Sequence, residues 1–64
     1  MYKTTIHSVT RIQDFTLAVF YTEEGCWQFR VISPGGMVFG ERKLYYTAYD
    51  AERHGREWIG QEIL

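Results

Sequence analysis

Two histidines, one cysteine and a pair of adjacent carboxylates are the side chains with the greatest chemical reach in this sequence, and their spacing limits what each can do. His7 and His54 stand far apart, and neither has a Cys or a second His at a spacing that builds a metal site. Cys26 could act as a nucleophile only beside a base or an electropositive helix end. Its chain neighbours Glu23 and Glu24 disfavour a thiolate instead, which makes it a small hydrophobe. The Glu23-Glu24 pair could pass for an acid/base dyad, but adjacent carboxylates in a loop point to opposite sides and stay solvated. Gly35, Gly36 and Gly40 join strands and do not open a helix, so the amide cluster that cradles a phosphate is not expected. The expectation is a protein with no catalytic residue, no metal and no cofactor.

The remaining chemical feature is basic. Arg30 with Arg42 and Lys43, and Arg53 with Arg56, could meet an acidic partner, but Glu41, Glu52 and Glu57 interleave with them. Seven Lys and Arg against eight Asp and Glu leave a net charge of −1, which gives no general attraction to nucleic acid or to an acidic membrane. A single cysteine forms no internal disulfide, and there is neither a basic-plus-apolar leader nor an apolar run of membrane-spanning length. A cytoplasmic protein without membrane association is expected.

What must position these residues is one small domain over 1–64. A chain this short gains little from its core once chain entropy is subtracted, and its 17% aromatic residues are the compensation, because each buried ring removes a large area from water. Residues 3–11 are rich in β-branched types and read as a first strand. The Ile12-Gln13-Asp14 connection carries no strong turn dipeptide, and a hairpin or a bulge would both fit. Residues 15–22, FTLAVFYT, form the most apolar strand and belong at the centre of a sheet. Gly25 ends a hairpin loop, and in residues 26–33 Trp27, Phe29 and Val31 alternate with Gln28 and Arg30, the period of a strand with one buried face. Pro34-Gly35-Gly36 is the strongest turn signal and leads into a fourth strand over 37–45, interrupted at Gly40.

After Tyr46 the period lengthens to that of a helix, expected over 48–62, with the Thr47 hydroxyl accepting from the amide of Asp50. Ala51, Gly55, Trp58 and Ile59 share its apolar stripe. A glycine inside a helix costs roughly 1 kcal/mol relative to alanine, so Gly55 on that stripe implies close approach to the sheet. The fold class is α+β, an antiparallel three- or four-stranded meander with one C-terminal helix on one face.

One helix covers one face, so the other is open. With Trp27, Phe29 and Val31 turned to the helix, the open face shows Gln28, Arg30 and Ile32, joined by Phe20 or Tyr21 and by Phe39 or Tyr45. Aromatics and arginine are enriched at binding hot spots. The leading expectation is a non-enzymatic interaction module or small regulator that binds a protein partner, or itself as a homodimer, through the open face or an edge strand. Phe20, Arg30, Ile32 and Phe39 form its surface.

The C-terminal stretch AYDAERHGREWI resembles the ending of a class of small bacterial proteins, cyanobacterial ones among them, in which a hairpin sheet precedes a helix of the form A-E-x-x-G-x-x-W-I. That resemblance covers about the last third of the chain and implies the fold, without an activity. The Gly25-x-Trp27-x-x-Arg30 pattern before a turn, a strand and an alanine-bearing helix is similar to the sheet of the plant AP2-type domain and of the integrase arm-binding domain. The similarity implies an alternative, DNA binding by the sheet face through Arg30, Arg42 and Lys43, which the net charge disfavours.

Overall fold

A computed structural model describes residues 4–22, 25–40 and 43–63, with the side chains of Thr4 and Ile63 outside the description. Four strands, β1 (Thr4–Ile12), β2 (Phe15–Thr22), β3 (Cys26–Ile32) and β4 (Val38–Phe39), precede one helix, α1 (Ala48–Ile63). The sheet is an antiparallel meander in the order β1-β2-β3-β4, and α1 lies over β2 and β3. This is the α+β architecture expected from the sequence.

The core follows from the two periodicities. Leu17 and Val19 on β2 and Phe29 and Val31 on β3 are opposed in pairs, Leu17 with Val31 and Val19 with Phe29, and each is at most 1% exposed. Ala51 and Ile59 of α1 close over them, both fully buried. At Gly55 helix and sheet come close: a Cβ there would collide with Leu17 Cδ1 and lie 3.2 Å from Phe29 Cδ1. Trp58, one turn later on the stripe, stacks on Phe39 with ring centroids 5.3 Å apart. Asp50 N–H donates to Thr47 Oγ1 at 3.0 Å, the expected cap.

The turns obey local chemistry. Gly36 N–H donates to Ser33 O at 2.9 Å, and Gly36 takes φ 89°, a value that glycine accepts without cost. Gly25 closes its turn at φ 77° on Thr22 O. The β1–β2 connection is a two-residue hairpin with Ile12 opposite Phe15, in which Gln13 is held at φ 54°.

Strand four differs from the expectation of 37–45. It pairs only at Val38 and Phe39, leaves β3, and returns at Tyr45. The register set by Val31 opposite Phe39 would bring Lys43 opposite Trp27, but Tyr45 stands there, exchanging two 2.8 Å hydrogen bonds with Trp27. At Gly40, where the pairing stops, the chain lies close against β3. A Cβ at Gly40 would lie 2.8 Å from both Arg30 Cδ and Phe29 O. Backbone groups of Trp27 and Ser33 point toward the fourth-strand side, so Phe29, in the same phase, presents its carbonyl there too. Arg30 Nη1 donates to that carbonyl at 2.7 Å, so the arginine serves where the ladder is interrupted.

Candidate functional site

The strand register sorts every sheet residue to one of two faces. On the helix side the rows are Ser8–Val19–Phe29 and Thr10–Leu17–Val31–Phe39. On the other side they are Ile6–Phe20–Gln28, Val9–Ala18–Arg30, and Arg11–Thr16–Ile32–Val38. The phase of β1 changes at a bulge between Ile6 and Ser8, which is why Ile6 and Val9, three residues apart, share the helix-free face.

That face is apolar at its corners and centre. Ile6, Val9, Ile32 and Val38 are 59%, 62%, 36% and 63% exposed, with Ala18 and Phe20 half-buried between them. The Arg30 guanidinium lies over the Phe20 ring at 5.3 Å from its centroid and donates from Nη2 to Gln28 Oε1 at 3.1 Å. A planar cation stacked on a ring is held in one orientation and keeps its stem on apolar surface. Arg11 is the other charge on the described part of this face. It donates from Nε to Gln13 O at 3.0 Å and lies 3.6 Å from Asp14.

Of the residues expected at the surface, Phe20, Arg30 and Ile32 are brought together here. Phe39 is not: its register with Val31 and its stack on Trp58 put it on the helix side. Tyr45, the other fourth-strand candidate, is also on the helix side, 6% exposed, with its ring 4.7 Å from His54. Tyr21 pairs with Trp27 and packs on its ring, again on the helix side. The reason is one of register, because the odd-numbered residues of β3 turn to α1 and carry with them the residues set opposite, Tyr21, Phe39 and Tyr45. Lys43 is exposed, with its ammonium 5.8 Å from the Tyr45 ring centroid, away from Arg30. Arg42 lies outside the described residues. Sequence reasoning missed Ile6, Val9 and Val38. Val38 could have been placed by counting through the Ser33–Gly36 turn, whereas Ile6 and Val9 depend on a bulge that no residue type announces.

The other candidates for chemistry are occupied structurally. His7 makes an edge contact with Trp27, with ring centroids 5.1 Å apart. His54 packs on Tyr45, and Arg53 Nη2 lies 3.2 Å from its Nε2. The helix arginines form pairs one turn apart, Arg53 with Glu57 and Arg56 with Glu52, each at 3.0 Å. Among the described residues no cavity opens, no three His, Cys, Asp or Glu converge, and no helix is long and apolar enough to cross a membrane. No family model, curated protein or solved structure matches the chain.

Proposed function

We propose that this chain is a non-catalytic protein-binding module or small regulator, and that its helix-free sheet face is the binding surface. The observation that carries the reading is the grouping of Ile6, Val9, Ile32 and Val38, 36–63% exposed, around the Phe20–Arg30 stack. Scattered exposed aliphatics are ordinary on any protein, but aliphatics gathered on one sheet face with an arginine held over an aromatic ring have the composition of an interface core. Its described charges, Arg11 and Arg30, are both positive, so the fitting partner presents an apolar surface edged by carboxylates. Arg30 is already bonded to Phe29 O and Gln28, and the net charge is −1, which weighs against the duplex-DNA alternative.

The test uses Ile32→Glu with Val38→Glu, which alters adjacent exposed positions and leaves the arginine alone. Tagged wild-type protein should retain a partner from its native cells that this variant loses and that Arg53→Ala, on the outer helix face, keeps. Equal retention by all three proteins would overturn the reading.

A further inference from the structure

We propose that β1 pairs antiparallel with β1 of a second copy, with Ile6 opposite Val9 of that copy and Val9 opposite its Ile6, joining two four-stranded sheets into one of eight strands. β1 is an edge strand of nine residues, six of them β-branched, with no proline and with Arg11 its one charge. Proteins ordinarily blunt such an edge with charge, proline or brevity. β4, at the opposite edge, pairs over two residues only. Because α1 lies over β2 and β3, a strand can approach β1 without meeting the helix.

The bulge makes a second copy a matching occupant. Before it, Ile6 lies on the helix-free face and Thr5 on the helix side. After it, Val9 and Arg11 lie on the helix-free face and Ser8 and Thr10 on the helix side. A strand without a bulge meets β1 in phase on one side of His7, or leaves a residue unpaired to follow it. A second copy run antiparallel carries the same change of phase at the same place. With Ile6 opposite Val9, the neighbouring pair is Thr5 with Thr10, and both pairs match in face.

The contact is isologous, as a two-fold dimer requires. Arg11 falls opposite position 4 and not opposite its own copy, so the two Arg11 charges are kept apart. Ser8 and His7 sit at the centre of the seam, each set opposite the other of the second copy. The apolar rows of the two helix-free faces then run together through Ile6 and Val9.

Sedimentation or light scattering across micromolar to millimolar concentration should give the mass of two chains for the wild type. Ile6→Lys with Val9→Lys sets lysine against lysine twice and should weaken association at least about tenfold. Ile6→Lys with Val9→Glu sets lysine against glutamate twice and should recover most of that loss. A wild type of single-chain mass throughout, a dimer indifferent to the double lysine, or a lysine–glutamate variant as weak as the double lysine would each overturn the pairing. Both positions are exposed, so the fold should survive. Should it not, amide exchange on the wild type decides: protection of β1 that rises with concentration supports the seam, and protection independent of concentration overturns it. The outcome is separable from the binding-face reading, because a monomer can still lose its partner on Ile32→Glu with Val38→Glu, and a dimer can form with no partner at all.

Discussion

The two faces of this sheet are built from the same strands and differ in what a side chain there is for. On the helix side Leu17, Val19, Phe29 and Val31 are sealed by Ala51 and Ile59. On the other side Ile6, Val9, Ile32 and Val38 are of similar chemical type and remain in water. Hydrophobic type therefore does not define the core of a two-layer domain. The helix does, with Ala51 and Ile59 buried against the sheet and Gly55 close over Leu17. Stability is concentrated on one face, which leaves the other free to be shaped by contact with something else.

That division can be broken most severely at Phe29. Phe29→Ala should cost about 3–5 kcal/mol, most of the stability of a domain this size, whereas Val38→Ala should stay within about 0.5 kcal/mol. Comparable losses in urea denaturation would erase the distinction between the faces. Gly55→Ala comes next. Helix propensity alone predicts a gain of about 1 kcal/mol, but the added methyl meets Leu17, and a net loss of about 1–2 kcal/mol is expected. Combining it with Leu17→Val should recover part of that loss, and strict additivity would show that the close approach is not the cause.

Smaller effects sharpen the picture at the margins. Thr47→Ala removes the oxygen that accepts from Asp50 and should lower stability by about 1 kcal/mol. Gln13→Gly should raise it by up to about 1 kcal/mol, since φ 54° suits glycine better than glutamine. A decrease there would mean that the Gln13 side chain contributes something its backbone conformation does not reveal.

The helix, its cap and the face it covers were legible in the sequence because each has a local cause: a threonine three residues before an aspartate, and a glycine on an apolar stripe. The β3 alternation likewise identified Phe29 and Val31 as core. The shape of strand four was not legible. Gly40 signalled an interruption, but not that the register would shift by two residues before Tyr45 pairs with Trp27, because no local residue type sets the size of such a shift. With the size of that interruption unread, Phe39 and Tyr45 were free to fall on either face, and their pairing with Val31 and Trp27 placed both under the helix. The open face was found through Phe20, Arg30 and Ile32 and underestimated at β1, where a bulge without glycine reversed the phase.

The claim that most needs testing is that binding belongs to the helix-free face. Backbone amide shifts of the labelled protein, recorded as a partner captured from its native cells is titrated in, report on it directly. The account predicts that the largest changes fall at Ile6, Val9, Phe20, Arg30, Ile32 and Val38, with α1 residues Arg53 and Glu57 unmoved. Changes centred on the outer face of α1 or on exposed Tyr46 and Tyr49 would contradict it.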